Sequence, residues 1–141
     1  MRKKYHSILE DHLIIRYLKK IPFFPRLIQL FVFFIYNSSI PYQAKIGKGT
    51  VFAYGGIGVI IHKKAIIGKN AIIGSSVVIG GKKGQTILPK IGDNVYLATG
   101  SKILGEVTIG NNAVIGANAV VLINVPNNAT AVGVPAKILR K

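Results

Sequence analysis

The chemistry open to this chain is narrow. It has no cysteine, and only four of its 141 residues are acidic: Glu10, Asp11, Asp93 and Glu106. Without cysteine there is no disulfide, no thiol nucleophile and no thiolate metal site, a usage that fits a reducing compartment. From residue 40 onward His62 is the single histidine. It is a candidate general base, with Asp93 and Glu106 the only carboxylates of that region able to orient it. Its plainer reading is a turn or surface residue. Nineteen Lys and Arg residues bring the formal net charge to +15. Such a balance attracts phosphorylated cofactors, polyanions or anionic membrane surfaces. No helix-turn-helix, RNP or zinc-finger pattern is present, and the region after residue 40 has few aromatics to stack bases, so nucleic acid is not an expected partner.

These residues must be positioned by whatever the rest of the chain builds, and the rest is periodic. A branched aliphatic recurs every sixth residue: Ile61, Ile67, Ile73, Ile79, then Ile91, Leu97, Ile103, Ile109, Ile115, Val121. Four residues after them stand small or β-branched side chains: Ala65, Ala71, Val77, Val95, Ser101, Val107, Ala113, Ala119, Val125. Glycine or asparagine punctuates the turns, as at Gly68, Gly92, Asn70, Asn94, Asn112 and Asn118, where a positive φ is tolerated. A hexapeptide period is the signature of a parallel β-helix. The aliphatics are the expected core, stacked into ladders between successive coils.

Three segments follow. Residues 1–39 carry no hexad, are basic and aromatic, and hold two stretches with helical spacing, Ile8 to Leu18 and Leu27 to Tyr36, separated by Pro22 and Pro25. They are expected to cap the first coil; a basic amphipathic contact with a membrane surface is the alternative for the same segment. Leu27 to Tyr36 is too short to span a bilayer, and no cleavable signal peptide is evident. Residues 40–126 form the repeats, with a three-residue irregularity at Gly55-Gly56-Ile57-Gly58 and a polar, glycine-rich loop at about 80–90. Residues 127–141 are a turn and basic tail.

Residues 40–138 resemble the hexapeptide-repeat acyltransferases, closest to the serine acetyltransferase family and its small polysaccharide O-acetyltransferase relatives. The resemblance rests on Ile91-Gly92-Asp93-Asn94-Val95, Lys102-Ile103-Leu104-Gly105, Ile109-Gly110-Asn111-Asn112-Ala113, Ile115-Gly116-Ala117-Asn118-Ala119 and Gly133-Val134-Pro135-Ala136-Lys137. It implies an all-β, left-handed parallel β-helix, a homotrimer, and acetyl-CoA bound between subunits for acyl transfer to a hydroxyl. It implies coenzyme contacts at the glycine pair Gly80 and Gly81, at the small residues Thr99 and Ala117, and at Lys137, with Lys82 and Lys83 near the phosphates. It also implies a catalytic His oriented by an Asp. Here the sequence departs from the family, for Tyr54 stands at the His position and Ser39 at the Asp position. The candidate catalytic set is therefore Tyr54, Ser39 and His62.

The expected function is an acetyl-CoA-dependent O-acetyltransferase, with a sugar hydroxyl in cell-surface polysaccharide assembly preferred as acceptor, small or lipid-linked. Serine is the alternative acceptor. The preference rests on the short segment before the hexads and on a tail, Leu139-Arg140-Lys141, unlike the acidic, isoleucine-ended tail of serine acetyltransferases. The expected location is the cytoplasm, with peripheral contact at the inner membrane face. A catalytically silent trimer that binds CoA or a partner is the competing reading. A γ-type carbonic anhydrase is excluded because its zinc needs three histidines, so no metal is expected. A sugar nucleotidyltransferase is disfavoured by the absence of a nucleotide-binding domain before the hexads.

Overall fold

The computed structural model describes residues 23–84 and 87–139. The helical pattern expected at Ile8 to Leu18 lies outside them. Helix α1 spans Phe24–Tyr36, with Pro25 in its first turn, where the missing N–H costs nothing. Asn37 ends it in the left-handed conformation (φ 49°).

The chain then winds into a triangular β-solenoid of roughly four coils. Its strands are two or three residues long. They are β1 (Lys45–Ile46), β2 (Val51–Phe52), β3 (Ile60–Ile61), β4 (Ile66–Ile67), β5 (Ile72–Ile73) and β6 (Val78–Gly80). After the loop come β7 (Lys90–Ile91), β8 (Tyr96–Leu97), β9 (Lys102–Leu104), β10 (Thr108–Ile109), β11 (Val114–Ile115) and β12 (Val120–Val121). Each coil places one strand in each of three parallel sheets. The first sheet runs β1-β4-β7-β10 and the third β12-β9-β6-β3. The second sheet, β2-β5-β8-β11, is extended by β13 (Thr130–Val132) and β14 (Lys137–Leu139). The last two form an antiparallel hairpin where the sequence suggested only a turn and tail. The hexad does not announce it because β14 has no inward residue; all three of its side chains are exposed.

Register follows the aliphatic ladders. Ile61 pairs with Ile79 and Ile79 with Ile103 in the third sheet. Leu97 lies between Ile73 and Ile115 in the second, and Ile91 between Ile67 and Ile109 in the first. These side chains are all buried, as are the small residues Ala65, Ala71, Val77, Val95, Ser101, Val107, Ala113, Ala119 and Val125 that turn each corner. Burying each aliphatic contributes about 1.5–3 kcal/mol. The irregularity at 53–58 is a tight turn that includes a 3-10 segment (Ala53–Gly56). Between β6 and β7 the chain spends extra residues before it rejoins the ladder, where Ile67 pairs with Ile91.

One corner is held by asparagines. The Asn94 amide donates to Asn112 Oδ1 at 3.1 Å, and the Asn112 amide donates to Asn128 Oδ1 at 3.0 Å. All three have φ between 55° and 59°. A left-handed backbone costs most side chains about 1–2 kcal/mol, and asparagine offsets this with the ladder bonds.

Helix α1 is the N-terminal helix expected ahead of the first coil. None of its residues is fully buried. Phe24, Ile28, Val32 and Tyr36 are half-buried, and the opposite side is exposed.

Two stability outcomes follow from this packing. The Ser101 hydroxyl is buried without a hydrogen-bond partner, between Val77 and Ala119 in its ladder. Ser101→Ala is expected to stabilise the fold by about 1 kcal/mol, raising Tm by roughly 2–4 °C in a calorimetric scan; a lower Tm contradicts the assignment. Asn112→Ala should cost about 1–2 kcal/mol and Asn112→Gly less, measured by urea unfolding; equal losses would mean the left-handed backbone is not what the asparagine supplies.

Candidate functional site

The sequence-predicted residues fall on two corners of the prism, one at each end of the third-sheet strands. Tyr54 belongs to the corner entering that sheet. There the coils stack through Ser76 N–H to Ile57 O (2.8 Å), Gly100 N–H to Ser75 O (2.9 Å) and Asn118 N–H to Thr99 O (3.0 Å). The Ser75 hydroxyl donates to Thr99 Oγ1 at 3.4 Å. Thr99 and Ala117 are both exposed on this corner, so it presents a column of small side chains. The C-terminal hairpin extends the column: Val120 N–H donates to Gly133 O at 3.0 Å, and Lys137 lies opposite Val132 in the β13–β14 pairing. Tyr54, Thr99, Ala117 and Lys137 thus share one edge.

Tyr54 is 68% exposed and adopts φ 55°, ψ 33°. A left-handed aromatic residue is uncommon and marks a turn whose surroundings dictate it. The support is Ser38, which sequence reasoning missed. Its hydroxyl is buried, donating to Gly56 O at 2.6 Å with Tyr36 O at 2.8 Å, and accepting from Val59 N–H at 3.3 Å. It ties the end of α1 to the turn that carries Tyr54. The only sequence signal was a small polar pair after the helix, which has no period to single it out. Ser39, its neighbour, is instead a backbone element: it bridges Ile60 in parallel, donating to Val59 O and accepting from Ile61 N–H, each at 2.8 Å. No hydrogen bond among the described residues joins Ser39 to Tyr54.

His62 lies on the other corner, leaving the third sheet. Its N–H donates to Ile79 O at 2.8 Å, which stacks it beneath Gly80, and Gly80 in turn pairs with Leu104. His62 Nδ1 accepts from Lys64 N–H at 3.2 Å. The geometry fits a turn residue. Of the two carboxylates, Asp93 sits on the asparagine corner and accepts from Lys69 N–H at 2.7 Å, away from His62. Glu106 follows β9 on the His62 corner, about two strand spacings further along.

The glycine pair stands directly on His62. A Cβ on Gly80 would meet nothing nearer than Leu104 Cδ2 at 4.0 Å, and one on Gly81 would approach Leu88 Cδ2 at 3.1 Å. The backbone there is open, with a shallow cradle beside Leu88 that a side chain would fill. Lys82 and Lys83 follow, exposed. The small-residue column and the glycine pair therefore occupy opposite edges of one face. A thin chain with an anionic end fits either edge: small residues and bare backbone for contact, lysines for charge. No cluster of His, Cys, Asp or Glu able to hold a metal occurs among the described residues.

Residues 89–122 match the family described as Bacterial transferase hexapeptide (six repeats). The serine acetyltransferase of Synechococcus elongatus is 35% identical over 125 residues, covering 87% of this chain and 51% of the relative. Among solved structures, a serine acetyltransferase in complex with CoA superimposes with TM-score 0.74 at 36% identity, over 81% of this chain and 47% of the other. Soybean serine acetyltransferase complexed with serine gives TM-score 0.77 at 38% identity, over 91% and 52%. The chain spans about half the length of the relatives it matches. Its repeats, their register and this likeness agree: the chain belongs to the hexapeptide-repeat transferases, in the serine acetyltransferase family.

Proposed function

We propose that this chain is an acetyl-CoA-dependent O-acetyltransferase. The observation that carries the reading is the likeness to a CoA-bound serine acetyltransferase across the same coils that bear the small-residue column and the open glycine pair. In this reading the acceptor is serine, in place of the sugar hydroxyl expected from the sequence, because the relatives named above are serine acetyltransferases and one solved neighbour holds serine.

Bound acetyl-CoA supplies the acetyl group as an activated thioester. The chain's own residues do the rest. With the arm between two copies, Gly80 and Gly81 of one copy let pantetheine lie against backbone, Thr99 and Ala117 of the next copy line its other side, and Lys137 meets a coenzyme phosphate. Tyr54 faces the acceptor hydroxyl from the position of the family's base. A homotrimer is part of the proposal. The second sheet presents an outward apolar row, Val51, Ile72, Tyr96 and Val114, in direct register. The last three are 44%, 44% and 38% exposed, a surface that a second copy would cover.

A second reading has its own support. Tyr54 and Ser39 are not hydrogen-bonded, and His62 is turned to its own loop. A chain that binds acetyl-CoA without turnover would look the same.

Calorimetry with acetyl-CoA is expected to give micromolar binding, about −8 kcal/mol; no heat at high protein concentration sinks both readings. Gly81→Leu should weaken that binding at least about tenfold with Tm nearly unchanged, since Leu88 Cδ2 is the end of a flexible side chain. Combining Ser39→Asp with Tyr54→His should raise serine acetylation by about 100-fold, the lower range of general-base catalysis. If acetylation appears only in that double variant, the silent reading stands. His62→Asn keeps an acceptor for Lys64 N–H and should leave turnover within about twofold; a loss near 100-fold would make His62 the base after all.

A further inference from the structure

The exposed side of α1 is apolar apart from Arg26 in its first turn. Phe23 (83% exposed), Leu27 (62%), Leu30 (53%), Phe31 (68%) and Phe34 (78%) recur at helical spacing and form one stripe. The half-buried residues, Phe24, Ile28, Val32 and Tyr36, lie on the other side. Arg26 and Gln29 are the only polar side chains in the helix. An outward helix face in water normally carries charges, so this one is built for contact with something apolar. The helix also lacks what would hold it up alone. It has 13 residues, no side-chain cap at its start, no acidic residue in its first turn and Arg26 there instead, where a cation opposes the helix dipole. A helix of that length is marginal without a surface to pack on.

Charge identifies the surface. Residues 1–26 contain Arg2, Lys3, Lys4, Arg16, Lys19, Lys20 and Arg26 against Glu10 and Asp11. The first sheet turns Lys45 and Lys90 outward, and the turns beside it carry exposed Lys48, Lys63, Lys64 and Lys69. With a net charge of +15, the chain is drawn to an anionic lipid surface. At 13 residues the helix is about 20 Å long and lies in the interface rather than across it; no helix among the described residues is long and apolar enough to cross a membrane. We propose that α1 docks the protein on an anionic membrane surface, its Phe23–Leu27–Leu30–Phe31–Phe34 stripe in the acyl boundary and the flanking lysines and arginines at the headgroups. The inference does not depend on the acetyl-transfer reading.

The test is co-sedimentation of the full chain with vesicles of phosphatidylcholine alone or with phosphatidylglycerol, at low salt, where surface attraction is strongest. Binding is expected only to the vesicles containing phosphatidylglycerol, and to weaken as salt rises. Phe31→Ser with Phe34→Ser should cut the partition coefficient by at least about tenfold while Tm and the light-scattering mass stay the same. Lys19→Gln with Lys20→Gln, a pair outside the stripe, should weaken binding in a salt-dependent way. No binding of the natural chain, or equal binding of the phenylalanine variant, overturns the proposal. So does a change of mass in that variant, which would assign the stripe to a contact between copies. Acetyl-CoA calorimetry on both proteins keeps the two readings apart: absence of heat in both removes the transferase reading and leaves the vesicle result standing.

Discussion

Everything in this protein depends on one constraint: each coil must place a branched aliphatic directly over the one before it. Among the described residues no strand is longer than three residues, too short to be stable on its own. What makes a strand is its neighbour in the next coil, through parallel hydrogen bonds and a stacked side chain. Ile79 lies on Ile61 and Ile103 on Ile79, so the core is one continuous column of contacts rather than a packed centre. Cooperativity is therefore nearest-neighbour in kind. A residue changed in one ladder is felt mainly by the coils on either side.

The constraint also explains where irregularity is tolerated. Ile61 and Ile79 are one coil apart at eighteen residues, whereas Ile46 reaches Ile67 after twenty-one and Ile67 reaches Ile91 after twenty-four. The extra residues leave at corners, in the turn after β2 and the loop after β6, and the ladders close again unshifted. Insertions are confined to corners because a strand shifted by one residue would turn its aliphatic outward. The corners are thus the variable part of the molecule, and both candidate edges are corners.

This division decided what could be read in advance. The ladder residues and the small corner residues were legible because period-six spacing is itself the physical requirement. The terminal hairpin was not, since β14 buries nothing and leaves no pattern. Ser38 was invisible for a related reason: its role is three hydrogen bonds made across a turn, and such bonds have no sequence period. The N-terminal helix was legible as an apolar run, but apolar character on both sides of a helix does not say which side is half-buried and which is exposed.

The same logic accounts for a fold kept intact around an altered site. Tyr54 and Ser39 stand where the family resemblance implies His and Asp, yet neither position carries the ladder. Tyr54 is exposed on a corner, and Ser39 contributes backbone hydrogen bonds that any residue other than proline could make. Changing either costs the solenoid little. The proposed coenzyme contacts are placed in the same way, for Thr99 and Gly80 follow ladder positions Leu97 and Ile79 by one or two residues, as Tyr54 follows Phe52. Side chains that point away from the ladder, the proposed binding and catalytic ones alike, can therefore be exchanged while the backbone pairing of the coils stays as it is.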